Sequence, residues 1–309
     1  MSIIENALKK AEKQGLINEG DNQLSGNISA QNIDREVEQT QQIHTGSQVS
    51  LGYDLPVTSD SRSGGESLVN INWQELSENG FIDATNTKSQ LAEELRVIKR
   101  PLVNNAHGAE SQDIRRSNLV LICSSLPGEG KTFISINLAL SIANERDKRV
   151  LLIDADVEKP SISKTLGIKQ SPGLIEYLEN DKVNFSDILL KTDLYNLSVI
   201  PAGRRNKYST ELLSSKRMYA FAEEVSNRYK DRIVIFDSPP MLVATQAQVL
   251  AELVGQVVFV IAAESTPQSA VNESVAKLSN CDVVMTLLNQ TRREFDIYGY
   301  GYGYGKYGH

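Results

Sequence analysis

Residues 119–132 read LVLICSSLPGEGKT, an apolar run followed by a glycine-containing loop that ends in Gly-Lys-Thr. The apolar run predicts a buried strand, and the spacing of Ile134, Leu138 and Ile142 predicts an amphipathic helix after the loop. In such a strand–loop–helix unit, backbone N–H groups of the loop and of the helix N-terminus point at a bound anion. Lys131 adds a positive charge, and the Thr132 hydroxyl is suited to hold Mg²⁺. The sequence therefore predicts a phosphate-binding loop for a nucleoside triphosphate.

The loop departs from the strict phosphate-loop pattern at one position. That pattern has glycine six residues before the lysine, and Ser125 stands there. Serine is small enough for the turn, so the prediction of ATP binding is kept. The residues expected to contact ATP are Pro127, Gly128, Glu129, Gly130, Lys131, Thr132 and Phe133.

Composition narrows the class of protein. The 309 residues carry a formal net charge of −7, which argues against nucleic acid as a partner. Cys123 and Cys281 lie in separate apolar runs and are expected to be reduced core residues of a cytoplasmic protein. No apolar run approaches the roughly 20 residues needed to span a bilayer. Any association with a membrane is therefore expected to go through a partner.

The chain divides into four parts by composition and periodicity. Residues 1–14 are expected to contain a short amphipathic helix. Residues 15–87 are rich in Gln, Asn, Ser and Gly and are expected to be a disordered linker. Within this linker, an element at Trp73–Leu76 is expected to dock at most weakly. A globular domain is expected over 88–290, beginning with a helix from Ser89 to Lys99 that Pro101 ends. Residues 291–309 form a glycine- and tyrosine-rich tail that is expected to be flexible.

Within the globular domain, strand and helix patterns alternate. Apolar runs typical of strands occupy 119–123, 149–153, 197–200, 232–236, 256–262 and 282–288. Helical spacing occupies 133–145, 215–229 and 267–279. Such alternation predicts an α/β fold of the P-loop NTPase type, with a parallel sheet covered by helices on both faces.

Two further acidic motifs follow strands. Asp154 and Asp156 come after the run 150–153, and Asp237 comes after the run 233–236. Because the carboxyl ends of parallel strands meet at one edge of the sheet, all three carboxylates are expected beside the phosphate loop. Phosphoryl transfer needs that arrangement: a phosphate cradle, carboxylates for Mg²⁺ and a carboxylate that takes a proton from the acceptor.

The combination of strand–PGEGKT–helix, strand–DAD, strand–DSPP and a tyrosine-rich tail resembles the bacterial tyrosine autokinases that regulate exopolysaccharide synthesis. The segments EELRVIKRPL (93–102), LLIDADVEKP (151–160) and DRIVIFDSPP (231–240) are similar to the subgroup associated with exosortase systems. The resemblance implies ATP and Mg²⁺ as cofactors and autophosphorylation of the tail. The implied phosphoacceptors are Tyr298, Tyr300, Tyr302, Tyr304 and Tyr307.

The resemblance also implies roles for individual residues. Lys131 and Thr132 would bind the terminal phosphates and Mg²⁺, and Asp237 would orient the metal shell. Asp154 and Asp156 would assist Mg²⁺ and activate the tyrosine hydroxyl. The implied catalytic residues are thus Lys131, Asp154, Asp156 and Asp237, and the implied metal ligands are Thr132 and the same three aspartates.

Partners follow from the same resemblance. Relatives form rings through a Glu-x-x-Arg-x-x-Arg helix, and the matching residues here are Glu93, Arg96 and Lys99, with lysine in place of the last arginine. Lysine lacks the bidentate pairing of arginine, so the ring contact is expected to be weaker. A membrane chain-length-determinant protein would act as activator at the inner membrane, and a tyrosine phosphatase would remove the phosphates.

Two other classes remain open on the sequence. Partitioning and site-selection ATPases share the fold, but they carry a second lysine in the loop where Leu126 stands here. A non-catalytic adaptor, in which the tail is an adhesive segment, would bind ATP without forming phosphotyrosine.

Overall fold

A computed structural model describes residues 68–82 and 89–291, except for the side chain of Glu110. Its centre is an eight-stranded sheet. The strands are β1 (Leu68–Val69), β2 (Leu119–Ser124), β3 (Arg149–Asp154), β4 (Leu190–Thr192), β5 (Leu197–Ile200), β6 (Arg232–Asp237), β7 (Gln256–Ala262) and β8 (Val283–Asn289). The predicted helix at 1–14, the remainder of the predicted linker and the tail beyond Thr291 lie outside the described residues.

The order of the strands is β1-β4-β5-β3-β6-β2-β7-β8. Every neighbouring pair is parallel except β4 and β5, which are antiparallel. All six residues of β2 are buried, as expected for a central strand covered on both faces. The predicted α/β fold is therefore confirmed, with a sheet that is mostly rather than wholly parallel.

Helices cover both faces of the sheet. They are α1 (Trp73–Glu78), α2 (Gln90–His107), α3 (Lys131–Ala143), α4 (Ile162–Thr165), α5 (Leu174–Glu179), α6 (Phe185–Ile188), α7 (Ser209–Leu213), α8 (Lys216–Arg228), α9 (Thr245–Ala251) and α10 (Gln268–Ala276), with a 3₁₀ turn at Ala109–Gln112. Leu119, Leu121 and Cys123 of β2 point into one hydrophobic cluster, whereas Val120 and Ile122 point into the other. The alternation along one strand thus supplies two cores, one beneath each layer of helices.

Residues 68–82 are folded, which corrects the prediction of a disordered linker up to residue 87. β1 pairs with β4 at the edge of the sheet, and Leu76 is 1% exposed in the cluster beside α3. The Ile82 N–H donates to Asn137 Oδ1 at 2.8 Å, and the Trp73 indole donates to Asp193 Oδ2 at 3.0 Å. The few apolar side chains of this segment are covered by residues that are distant in the sequence. The composition of the segment alone therefore does not predict that it folds.

Helix α2 continues through Pro101 to His107, which corrects the prediction that Pro101 ends it. A proline inside a helix removes one backbone hydrogen bond and costs about 3 kcal/mol. Beyond the proline, Leu102 is fully buried and Ala106 is nearly so. Burial of these side chains offsets the cost, since a fully buried leucine contributes about 1.5–3 kcal/mol.

Both cysteines are free thiols, as predicted, although only Cys123 is fully buried and Cys281 is half-buried. Burial raises the pKa of the Cys123 thiol far above its usual range, so this thiol is unreactive at neutral pH. Among the described helices, none combines the length and the hydropathy that crossing a bilayer requires.

Candidate nucleotide-binding site

Three motifs meet at the carboxyl edge of the sheet. β6 lies between β2 and β3, and Asp237 at its end is in register with Asp154 of β3 and with Ile122 of β2. The phosphate loop follows β2 and leads into α3 at Lys131. The expected convergence of the two carboxylates and the loop is therefore present in the fold.

Two glycines give the phosphate loop its shape. Gly128 and Gly130 have φ of +85° and +94°, in the left-handed region that a side chain disfavours. The carboxylate of Glu129 accepts the Leu126 N–H at 2.7 Å and the Thr266 hydroxyl. These two donors hold the loop's one acidic side chain, so that, of the loop amides, only that of Leu126 is taken by it and those after it can serve an anion.

A chain of hydroxyl groups runs from α4 to β6. The Ser161 hydroxyl donates to Thr132 Oγ1 at 3.0 Å, and the Thr132 hydroxyl donates to Asp237 Oδ2 at 2.6 Å. Ser135, one turn along α3, donates to the other oxygen of Asp237 at 2.9 Å. The hydroxyl suited to Mg²⁺ and the fully buried carboxylate therefore lie in direct contact.

Of the two carboxylate oxygens of Asp154, one accepts hydrogen bonds and the other accepts none. Its Oδ2 accepts the backbone N–H groups of Ser161 at 3.2 Å and of Ile162 at 3.1 Å. Its Oδ1 is buried and has no hydrogen-bond partner in the described part of the chain. Burial, and then the charge of Asp237, raise the pKa of Asp154 well above its usual range. A buried, unpaired carboxylate oxygen beside a phosphate loop fits a divalent cation, which would supply the missing partner.

Asp237 and Asp156 differ from Asp154 in their surroundings. Burial raises the pKa of Asp237 to about 6, although the hydroxyls of Thr132 and Ser135 and the charge of Lys131 act in the opposite direction. Asp156 is only half-buried, and its Oδ1 accepts the Lys159 N–H at 3.1 Å. Burial raises the pKa of Asp156, whereas the hydrogen bond from the Lys159 N–H and then the charge of Lys131 act to lower it. Asp156 is thus the carboxylate of the group that solvent reaches.

The remaining loop residues fall in different environments. Lys131 is buried at the start of α3, whereas Pro127 and Gly128 are exposed. The ring of Phe133, expected to contact ATP, packs against Phe81 with centroids 5.0 Å apart. Phe133 therefore ties the segment 68–82 to α3.

The three expected interface residues do not share one surface. Glu93 and Arg96 form an exposed ion pair on α2. Lys99 is only 8% exposed, and its ammonium donates to Ser141 O at 2.9 Å and lies 2.7 Å from Glu145 Oε1. The charge of Lys99 is thus used within the chain at the C-terminus of α3, and its part in a ring contact with Glu93 and Arg96 stays a prediction.

Several residues of the site escaped the sequence analysis: Ser135, Ser161, Thr266, Asn289 and Gln290. Their hydrogen-bond partners lie 29 to 162 residues away along the chain. Only Asn289 carried a signal, since a polar residue at the end of the last predicted strand belongs to the same edge.

The last strand ends beside the phosphate loop. β8 is parallel to β7, and β7 is parallel to β2, so the chain leaves the core at the edge that bears the phosphate loop. The five predicted phosphoacceptors, from Tyr298 to Tyr307, lie outside the described residues.

Comparison with known proteins first defines the class. The profile described as "AAA domain" matches residues 118–291, which span the sheet from β2 to β8. This match and the geometry of the loop make the chain a P-loop NTPase of the AAA-domain type.

Individual relatives narrow the class to a family. The chain is 32% identical over 200 residues to tyrosine-protein kinase YwqD of Bacillus subtilis, covering 65% of this chain and 80% of the relative. The solved kinase domain of VpsO is 32% identical, with a TM-score of 0.54, covering 66% of this chain and all of that domain. The kinase domain of the Escherichia coli tyrosine kinase ETK is 25% identical, with a TM-score of 0.59, covering 77% and 94%. The chain belongs to the bacterial tyrosine-protein kinase family.

Other relatives are much longer. Tyrosine-protein kinase ptk of Acinetobacter johnsonii is 36% identical over 140 residues, or 45% of this chain. The chain spans only 19% to 25% of the length of this and two further relatives.

Proposed function

We propose that this protein is an ATP- and Mg²⁺-dependent tyrosine autokinase that phosphorylates the tyrosine cluster of its own tail, the reaction of a non-specific protein-tyrosine kinase. One observation carries the proposal. The unpaired Oδ1 of Asp154, the Thr132–Asp237 hydrogen bond and the root of the tail all lie at the edge that bears the phosphate loop. The edge therefore brings together a phosphate cradle, candidate metal ligands and the point from which the chain runs towards its tyrosines.

Each residue has a defined task in the proposed reaction. The N–H groups of the loop and the Lys131 ammonium bind the β- and γ-phosphates and stabilise the charge that develops during transfer. Thr132, Asp154 and Asp237 would hold Mg²⁺, which neutralises phosphate charge when it is bound. Asp156 is also a candidate metal ligand, although it is the most accessible of the three aspartates.

Removal of the proton from the acceptor tyrosine is assigned to the motif that contains Asp154 and Asp156. Asp154 is fully buried, so a tyrosine on the tail cannot contact it without displacing protein. Asp156 is half-buried two residues further on. We assign Asp156 to take the proton of the tyrosine hydroxyl while Asp154 holds the metal in place.

The setting of the enzyme follows from its family. We propose a regulatory role in exopolysaccharide synthesis of the exosortase-associated type, with a membrane chain-length-determinant protein as activator and a tyrosine phosphatase as antagonist. The kinase would then lie at the cytoplasmic face of the inner membrane through that partner. Ring assembly would depend on the exposed pair Glu93 and Arg96 rather than on Lys99.

The decisive experiment is incubation of the purified full chain with Mg-ATP, followed by mass spectrometry of residues 298–309. We expect phosphate on the tail tyrosines of the wild type and none on Lys131→Met. Lys169→Met, at an exposed position, is the matched control and should be phosphorylated normally. Phosphate release without phosphotyrosine would instead indicate a hydrolytic ATPase switch, and nucleotide binding without either product would indicate an adaptor.

A further inference from the structure

Two amide side chains at the end of β8 hold the phosphate loop from outside. Asn289 Nδ2 donates to Glu129 O at 2.9 Å, and Gln290 Nε2 donates to Gly128 O at 2.9 Å. The acceptors are consecutive carbonyls of the loop, and the donors are consecutive residues of the chain. The contact therefore spans two peptide units rather than a single atom.

Peptide geometry gives this contact a consequence for phosphate binding. In a planar trans peptide the C=O and the N–H point in opposite directions. Fixing the carbonyls of Gly128 and Glu129 against these amides therefore turns the N–H groups of Glu129 and Gly130 to the opposite side of the loop. Neither N–H donates to another group within residues 68–82 and 89–291, so both are available to an anion.

The loop is shaped to admit the Asn289 side chain. A Cβ placed on Gly130 would lie 2.1 Å from Asn289 Nδ2, well inside contact distance. Gly130 is therefore needed for the approach of the amide as well as for its φ of +94°. Gln290 itself has φ of +58°, an uncommon conformation for a residue with a side chain, and it is held at the position where the tail begins.

We propose that Asn289 and Gln290 are positioning residues that orient the phosphate-binding N–H groups and thereby couple the root of the tail to the occupancy of the nucleotide site. This inference rests on the proposed function, because it assumes that the loop binds phosphate. Coupling of this kind is reciprocal: a bound phosphate that favours the loop conformation also favours the attached root of the tail. The tail is thus presented from a fixed point when nucleotide is bound.

The test uses two probes on the full chain, MgADP and inorganic triphosphate with Mg²⁺, measured by calorimetry. Asn289→Ala removes the donor, and Asn289→Asp keeps the shape but places a carboxylate against the Glu129 carbonyl. We expect the alanine variant to bind both probes about fivefold to tenfold more weakly, as for the loss of one hydrogen bond, and the aspartate variant to bind them more weakly still. Thr291→Ala, at the next residue, is the control and should bind both probes as the wild type does.

Inorganic triphosphate separates orientation of the loop from contact with the base. If Asn289→Ala weakens MgADP but not inorganic triphosphate, Asn289 touches the nucleoside and the proposal is wrong. Unchanged binding of both probes would also overturn it while leaving the kinase assignment intact. If the wild type binds neither probe, the proposed function itself fails.

Gln290→Ala provides a second measurement that does not depend on a half-buried side chain. Gln290 is exposed, so its truncation should leave the thermal midpoint of the nucleotide-free protein within about 2 °C of the wild type. We expect binding of inorganic triphosphate to weaken about threefold. We also expect triphosphate to slow amide hydrogen exchange in the peptide covering 283–291 in the wild type, and to slow it less in this variant. Equal protection in both proteins would contradict the coupling.

Discussion

The two ends of the central sheet treat buried polar groups in opposite ways. At the amino ends of the strands, Gln256 Nε2 donates to the carbonyls of Leu102 and Ser117, and its Oε1 accepts from Asn105 Nδ2 at 2.9 Å. At the carboxyl ends, Asp154 keeps an unpaired oxygen within a fully buried side chain. At the amino end the side chain of Gln256 is fully paired, although Arg232 Nε and His107 Nε2 have no hydrogen-bond partner in the described part of the chain, whereas the carboxyl end keeps an unpaired carboxylate oxygen that a ligand can use.

Asn118 is a second fully paired amide at the amino end. Its Nδ2 donates to the carbonyls of Ser226 and Tyr229, and its Oδ1 accepts the Ser226 hydroxyl at 2.8 Å. Buried polar groups that are fully paired stabilise a unique packing, and those left unpaired cost free energy. The difference indicates that the amino end contributes stability and that the carboxyl end gives up stability in favour of binding.

The largest test of this contrast is Asp154→Asn. The amide cannot serve as an anionic metal ligand, so we expect the initial rate of tail phosphorylation to fall at least about hundredfold, measured by immunoblotting for phosphotyrosine. Binding of MgADP should weaken much less. Asp113→Asn, at an exposed position, is the control. Unchanged transfer in Asp154→Asn would contradict the assignment of Asp154 as a metal ligand.

Gln256→Leu tests the other end. Loss of the amide leaves two carbonyls and the Asn105 amide without their partner, so we expect the free energy of unfolding in urea to fall by about 2–4 kcal/mol. The affinity for MgADP should stay unchanged in the folded protein. Gln248→Leu, on the exposed side of α9, should alter stability by less than about 0.5 kcal/mol. A lower affinity for MgADP in Gln256→Leu would contradict the independence of the two ends of the sheet.

Asp237→Asn should move stability in the opposite direction. An ionised carboxylate in a fully buried position is costly, and replacement by the neutral amide removes that cost. We expect the nucleotide-free protein in EDTA to gain about 1 kcal/mol in urea unfolding while transfer is lost. A less stable variant would mean that the bonds from Thr132 and Ser135 outweigh the cost of burying the charge.

Ser161→Ala carries the smallest expected effect. Its hydroxyl donates to Thr132 and supports it through one neutral hydrogen bond. We expect the Mg²⁺ concentration for half-maximal phosphorylation to change about twofold to threefold, with little change in the KM for ATP. Ser163→Ala, two residues further along α4, serves as the comparison. If the KM for ATP moves and the Mg²⁺ dependence does not, Ser161 acts on the nucleotide rather than on the metal site.

The carboxyl end was largely readable from the sequence, because its residues stand directly after apolar runs. Phosphate-loop chemistry identified Lys131 and Thr132, and the common edge of parallel strands brought in Asp154 and Asp237. The amino end gave no such signal: Gln256 begins a strand, and its partners lie 139 to 154 residues away in the sequence.

The errors have a common physical cause. Pro101 breaks an isolated helix, but the burial of Leu102 overrides the local preference. The short strands β1 and β4 contain two and three residues, too few for any periodicity to indicate them. In each case tertiary contacts decide what the local sequence leaves open.

The segment 68–82 has a practical consequence for any shortened form of the protein. A fragment that starts at residue 88 retains every residue assigned to the reaction, but it lacks β1, which pairs with β4 at one end of the sheet. It also uncovers the surface on which Leu76 and Ile82 rest. Bare strand edges recruit other chains, so such a fragment is expected to aggregate. Loss of activity in that fragment would then result from aggregation, and it would not show that the phosphate-binding site is damaged.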